Sequence, residues 1–151
     1  MIKPRVAIVM GSKSDLPVME NAQKVLAEFG IKSDVLVASA HRNPVKVVQF
    51  AKTAENKYQV IIAGAGMAAH LPGVIAAYTT LPVIGVPIES RGLQGVDALF
   101  SIVQMPAGIP VACVAIGGAK NAGLLAVEII ALANPKVKAA LNAYRKELAA
   151  K

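Results

Sequence analysis

Only two histidines occur in this chain of 151 residues, and one of them lies in the polar segment SAHRNP. His41 is the side chain of this segment that can gain or lose a proton near neutral pH. Asn43 and Pro44 fit the N-cap and the first position of a helix. A positive charge such as that of Arg42 is unfavourable beside a helix N-terminus unless an anion binds there. Arg42 and the free N–H groups of the helix therefore predict a phosphate site. Ser39 adds a hydroxyl group. The alternative is an ordinary exposed loop.

A second set of polar groups, GSKSD at residues 11–15, follows the first apolar run of the chain. Ser12 and Ser14 supply hydroxyl groups, and the N-terminus of the next helix supplies N–H groups that suit a phosphate. Asp15 does not suit a phosphate, but its carboxylate can bind the hydroxyl groups of a sugar. The alternative is a plain turn in which Asp15 is the N-cap of the helix.

The second histidine lies in a segment of small residues, GAGMAAHLPG at residues 64–73. Gly64 and Gly66 allow a ligand to approach the backbone closely, and the alanines make small, apolar walls. His70 is either a second site residue or a residue that holds the loop by hydrogen bonding, and we favour the second role. The sequence has no Ser-His-Asp pattern, no pair of carboxylates for acid–base work and no metal-ligand spacing, so no metal is expected.

Five short apolar runs separate these polar segments, and their continuity predicts strands buried on both faces of a parallel sheet. Helical periodicity fills the gaps, which indicates a three-layer, doubly wound α/β domain spanning residues 1–151. Five strands suit the flavodoxin-like order 2-1-3-4-5, which brings the three polar loops together at the carboxyl ends of the strands. A dinucleotide fold is disfavoured because GSKSD lacks the G-x-G-x-x-G pattern. The runs are RVAIVM, SDVLVA, QVIIAGAG, PVIGVPI and VACVAIG.

Five helices are predicted between and after these strands, and a sixth at residues 136–151. The first has an apolar stripe at every third or fourth position from Leu16 to Phe29, with Asp15 as its cap and Gly30 at its end. The second begins at Pro44, and the next three follow AAHLPG, run through GVDALFSIVQ and run through NAGLLAVEIIALA. The C-terminal helix covers either its own sheet or a neighbouring subunit. Its apolar stripe consists of Val137, Ala140, Leu141, Tyr144 and Leu148.

The composition of the chain narrows the classes of function further. Hydrophobic residues make up 55% of the chain, yet no run is long enough to span a membrane, so we expect a homo-oligomer with buried surface between subunits. The net charge of +7 is scattered, which is typical of a solvated surface; the functional alternative is attraction of small anionic substrates. Nucleic acid is disfavoured as a partner because aromatic residues make up only 4%. The lone Cys113 excludes a disulfide framework, and without a signal peptide pattern we expect a cytoplasmic protein.

Several long segments in order give the chain a family resemblance: VMGSKSD, SAHRNP, GAGMAAHLPG, LPVIGVP and SIVQMPAGIPVACVAIGGAKNAG. They closely resemble the class I PurE family, the N5-carboxyaminoimidazole ribonucleotide mutases of purine biosynthesis. The resemblance implies a flavodoxin-like fold, an octamer, and no metal or organic cofactor. It implies that His41 is the catalytic acid–base, that Arg42 binds the phosphate, and that Ser12 and Asp15 bind substrate. Other expected substrate-site residues are Ser14, Ser39, Gly66 and His70.

Two positions depart from the pattern of that family. Met67 stands where glycine is more frequent, and either reshapes the pocket or points away from it. Asn43 replaces a more frequent threonine and retains the capping role. Two alternatives remain open. One is the related class II carboxylase, which uses carbon dioxide directly and more often has lysine at the position of Arg42. The other is a non-catalytic flavodoxin-like module that binds a nucleotide.

Overall fold

A five-stranded, all-parallel sheet with helices on both faces forms the protein, in a computed structural model that describes residues 4–150. The strand order is β2-β1-β3-β4-β5, which confirms the predicted flavodoxin-like arrangement. The last strand is much shorter than the run VACVAIG predicted. The strands are β1 (Arg5–Met10), β2 (Lys32–Val37), β3 (Val60–Gly66), β4 (Val83–Ile88) and β5 (Ala112–Cys113).

Within residues 4–150, six α-helices connect the strands or follow them, as predicted, and residue 151 of the predicted C-terminal helix lies outside the described residues. Two short 3₁₀ turns, Lys13–Asp15 and Ala54–Asn56, precede α1 and follow α2. No helix in residues 4–150 is long and apolar enough to cross a membrane. The helices are α1 (Leu16–Glu28), α2 (Pro44–Thr53), α3 (Leu71–Ala76), α4 (Val96–Val103), α5 (Ala119–Ala131) and α6 (Pro135–Ala149).

Alternate residues of the central strands supply two hydrophobic cores, one on each face of the sheet. Ile8 of β1 packs in a cluster with side chains of α1, α5 and α6, whereas its neighbour Val9 packs with side chains of α2, α3 and α4. Both side chains are fully buried. This two-residue alternation is the geometry of a strand, and each buried side chain of this size contributes roughly 1.5–3 kcal/mol through the hydrophobic effect. The three layers are therefore a consequence of continuous apolar strands.

The helix ends agree with the sequence in position but not in every hydrogen bond. Gly30 ends α1 with a left-handed φ of 69°, as predicted. Asp15 lies at the N-cap of α1 and Asn43 at that of α2, but neither side chain forms a capping bond. The predicted cap positions are therefore confirmed, but the predicted side-chain capping bonds are not formed. The carboxylate of Asp15 instead accepts from the N–H of Ser12 one turn earlier, and the N–H of Asn43 donates to the carbonyl of Ser39.

The C-terminal helix α6 packs on its own chain. Val137 and Leu141 are buried in the core on the α1 and α5 side of the sheet. Tyr144 meets Phe29 edge to face, with 5.7 Å between ring centroids. The other two residues of the predicted stripe, Ala140 and Leu148, are exposed. Part of the apolar stripe therefore remains open to solvent.

Candidate active site

The loops that follow β1, β2 and β3 meet in one open cavity of about 610 Å³ at the carboxyl ends of the strands. Parallel pairing of β1 with both β2 and β3 makes these three loops neighbours. This is where ligands bind in doubly wound folds. All eight residues predicted from the sequence line the cavity: Ser12, Ser14, Asp15, Ser39, His41, Arg42, Gly66 and His70.

The loop after β1 folds into a capping box. The hydroxyl oxygen of Ser12 accepts from the backbone N–H of Ser14 at 3.3 Å and from its hydroxyl at 2.9 Å. The backbone N–H of Ser12 donates to Oδ2 of Asp15 at 3.2 Å. Asp15 is only 9% exposed, and this burial raises the pKa of its carboxyl group. Hydrogen bonds from Ser12 and Ser14 and the charge of Arg42 oppose the rise. The loop thus holds one carboxylate in a fixed position.

Arg42 joins the second loop to the first. Its Nη2 donates to the carbonyl oxygen of Gly11 at 2.8 Å, while its backbone N–H donates to the hydroxyl of Ser39 at 3.2 Å. Ser39 is buried and helps to close the turn before α2. The Gly11 carbonyl holds one edge of the guanidinium, and Arg42 directly precedes Asn43 at the N-cap of α2. A guanidinium beside free helix N–H groups can bind an oxyanion.

The two histidines contact each other across the cavity. Nε2 of His41 lies 2.7 Å from Nδ1 of His70, and the rings meet edge to face at 80°. Both residues are exposed. The sequence favoured a role for His70 in holding its own loop by hydrogen bonding. Within the described part of the chain, however, the side chain of His70 bonds to the ring of His41. The sequence offered no signal for this contact, because the two residues lie on separate loops.

The third loop approaches β4 closely. A Cβ atom on Gly66 would lie 3.2 Å from the carbonyl oxygen of Ile88, so glycine suits this position. Met67 adopts a left-handed φ of 55°, a conformation that costs a non-glycine residue roughly 1–2 kcal/mol. A left-handed backbone at this position favours glycine. Met67 is 66% exposed and is one of the residues that line the cavity.

Three further residues line the cavity that were not predicted from the sequence: Ile88, Glu89 and Ser90. They leave the carboxyl end of β4, where Ile88 pairs with Gly66 of β3. The predicted strand order already placed β4 beside β3, so the exit of the fourth run was an available signal. Among residues 4–150, no cluster of three or more His, Cys, Asp or Glu side chains could hold a metal ion.

Comparison with known proteins identifies the family. The family model described as AIR carboxylase matches residues 5–151. The chain belongs to the AIR carboxylase family. Two relatives are named N5-carboxyaminoimidazole ribonucleotide mutase. The protein of Pyrococcus horikoshii is 56% identical to this chain, and that of Synechocystis is 58% identical. The alignments cover 97% and 96% of this chain, and 83% of each relative.

A solved structure agrees with this membership. The crystal structure of Treponema denticola PurE matches with a TM-score of 0.89 and 32% sequence identity. The match covers 97% of this chain and 92% of that one. A second crystal structure, of a substituted PurE2 from the same organism, matches with a TM-score of 0.90 and 31% identity. The resemblance seen in the sequence motifs is therefore confirmed at the level of family and fold.

Proposed function

We propose that this protein is an N5-carboxyaminoimidazole ribonucleotide mutase of purine biosynthesis. The observation that carries the proposal is the placement of three different chemistries on one cavity: a proton carrier at His41, a cation at Arg42 and a buried carboxylate at Asp15. Relatives of more than half identity that carry this mutase name support it. The direct carboxylase is less favoured because these curated relatives are mutases.

The reaction needs one group that both gives and takes a proton. The carbamate N–C bond breaks, carbon dioxide leaves, and the amine nitrogen takes a proton from His41. The ring carbon then bonds to the same carbon dioxide and returns a proton to His41. One proton leaves the histidine and one comes back, so the isomerisation balances without a cofactor. A histidine side chain, which can both donate and accept a proton, suits both steps.

The remaining cavity residues bind and orient the substrate. Arg42 and the N-terminus of α2 take the phosphate, while Asp15 and Ser12 take the ribose hydroxyls. Ser14, Ser39 and Gly66 complete the contacts with the substrate, and His70 lines the same cavity next to His41. Holding the nucleotide at both its phosphate and its sugar keeps the imidazole in register with His41, which lowers the entropic barrier of the reaction.

Carbon dioxide is small and apolar, and it must stay near the ring between the two steps. Ala65, Gly66 and Ala68 form a small apolar wall, but His41 and His70 are exposed in the single chain. We infer that neighbouring subunits close this cavity. Exposed apolar side chains on and before α4, such as Leu93, support a homo-oligomer, and the family resemblance suggests an octamer. The other exposed apolar side chains in this region are Val96, Phe100 and Val103.

We propose that residues 1–151 act as one cytoplasmic catalytic domain without metal or organic cofactor. Sedimentation velocity of the purified chain tests the assembly, and a monomer at micromolar concentration would contradict it. Fractionation of the source cells tests the location, and recovery outside the cytoplasm would refute it. Neither nucleic acid nor membrane is proposed as a partner.

A choice between substrates tests the reaction. Purified protein is given the carbamate ribonucleotide, or aminoimidazole ribonucleotide with dissolved carbon dioxide, and formation of the carboxylated product is followed. We expect much higher kcat/KM with the carbamate. Preference for carbon dioxide would indicate the direct carboxylase, and no product from either substrate would indicate a binding module.

A variant of the proposed acid–base complements this choice. His41→Asn is expected to abolish turnover with an unchanged melting temperature, because His41 is exposed and contributes no core packing. Turnover of that variant at the wild-type rate would show that another group moves the proton.

A further inference from the structure

We propose that His70 is a positioning residue that fixes the tautomer of His41, with the proton on Nε2 and the lone pair on Nδ1. The proposal deepens the proposed mutase function, and its predictions for kcat and KM rest on that function. It assigns to each ring nitrogen of the acid–base a separate task. Nε2 is held by the protein, and Nδ1 serves the substrate.

The contact between the rings requires one shared proton. Nε2 of His41 and Nδ1 of His70 are 2.7 Å apart, which is hydrogen-bonding distance for one N–H and one lone pair. Two lone pairs or two N–H groups at this distance would repel each other. One of the two histidines is therefore the donor and the other the acceptor.

Counting protons decides which histidine donates. If His70 donated, neutral His41 would carry its single proton on Nδ1 and would have no lone pair left to receive one from the substrate. If His41 donates from Nε2, its Nδ1 is bare and can act as the base. Donation from Nε2 of His41 is therefore the arrangement that allows both the contact with His70 and the proposed proton transfer. The hydrogen bond to His70 also persists when Nδ1 of His41 becomes protonated.

The backbone around His70 makes it a firm support. Its N–H donates to the carbonyl of Ala68 at 2.8 Å, and its own carbonyl accepts from Val74 at 2.9 Å. Leu71, the next residue, is buried in the core on that face of the sheet. His41 lies on a loop before α2. The backbone of His70 is thus fixed by its own hydrogen bonds and by the core, which lets its ring serve as a support for the ring of His41.

No carboxylate takes this supporting role for His41 among residues 4–150. The hydrogen bonds of the described side chains give the His41 ring one partner, which is His70. In many histidine-dependent enzymes an acidic residue holds the second ring nitrogen and sets the tautomer. Here a neutral imidazole supplies the same directional acceptor without a negative charge.

Two variants separate orientation from mere packing. His70→Leu keeps a side chain of similar bulk but removes the acceptor, and we expect kcat to fall about 10–100-fold, as for other supporting hydrogen bonds. KM should stay within about threefold, since the substrate loses no contact. His70→Asn restores an acceptor near the position of Nδ1, so its kcat should exceed that of His70→Leu at least about fivefold.

Nitrogen-15 NMR of the free protein reads the tautomer directly. In mildly alkaline buffer, wild-type His41 should show a protonated Nε2 and an unprotonated Nδ1. The spectrum of His41→Asn assigns the signals. In His70→Leu the two tautomers of His41 should mix, which a purely structural role of His70 would not cause.

Three results would overturn the proposal: a His41 proton on Nδ1 in the wild type, wild-type kcat in His70→Leu, or a loss confined to KM. The last would make His70 a substrate contact. Failure of the mutase function is distinguishable, because then the wild-type protein itself would not convert the carbamate. The NMR result would still report whether His70 sets the tautomer.

Discussion

Replacing Arg42 with alanine removes the cation that the structure places beside the N-terminus of α2. The guanidinium is held by Gly11, whose carbonyl accepts from Nη2 at 2.8 Å. Its remaining N–H groups are therefore oriented before a ligand arrives, and little side-chain entropy is lost when a phosphate binds. The variant should weaken substrate binding and leave the proton transfer at His41 intact.

The size of the effect follows from the type of bond. A hydrogen bond to a charged group contributes about 1.5–3 kcal/mol, and about 1.4 kcal/mol corresponds to a tenfold change in binding. We therefore expect kcat/KM for the ribonucleotide to fall roughly 10- to 150-fold. Because Arg42 is exposed in the single chain, solvent screening favours the lower part of this range.

Comparison of two substrates isolates the phosphate contact. The wild-type protein and Arg42→Ala are each assayed with the ribonucleotide and with the nucleoside that lacks the phosphate. Arg42→Ala should lower kcat/KM for the nucleotide but hardly for the nucleoside. Arg42→Lys keeps the charge without the paired N–H groups and should lie between. An equal loss with both substrates, or no loss, would refute phosphate binding by Arg42.

Three further predictions concern stability and assembly. Gly123→Val should reduce the free energy of unfolding by about 1–3 kcal/mol, because a Cβ at Gly123 already lies 3.1 Å from the carbonyl oxygen of Ala22 in α1; denaturant titration measures this. The Lys57 hydrogen bond lowers the pKa of Asp34, so Asp34 contributes stability that is present above the ordinary pKa of an aspartate and is lost as pH falls through its lowered pKa. Asp34→Asn should flatten that acid loss in urea titrations at a series of pH values. Phe100→Glu should yield smaller particles in sedimentation velocity, because Phe100 is 59% exposed on α4.

Matched controls accompany these variants. Asn121→Val places the same side chain on the exposed face of α5 and should change the free energy of unfolding much less than Gly123→Val. Lys138→Glu introduces a glutamate on an exposed position of α6, away from α4, and should leave the assembly unchanged. If Asn121→Val destabilised the protein as much as Gly123→Val, close packing of α5 against α1 would not explain the loss. If Lys138→Glu reduced the particle size as much as Phe100→Glu, the α4 surface would not explain the assembly. An unchanged acid dependence in Asp34→Asn would assign the loss to other carboxyl groups.

Most of the fold could be predicted from the sequence. Strands buried on both faces must be apolar at nearly every position, so β1, β3 and β4 are visible as continuous runs. Gly30 marks a helix end because its left-handed backbone is unfavourable for other residues. β5 was overestimated because its apolar run continues into a turn. In that turn Gly117 adopts a left-handed φ and its N–H bonds to the carbonyl of Pro87.

The sequence by itself determined which chemical groups are present and which loops carry them. Segment order and strand burial are enough for that, because parallel strands place their carboxyl ends at one edge. Tertiary structure alone decided the partners of the side chains. His41 meets His70 from another loop, and Arg42 reaches the carbonyl of Gly11. Such contacts depend on how separate loops are placed relative to each other, to within a few tenths of an ångström, which local residue patterns do not specify.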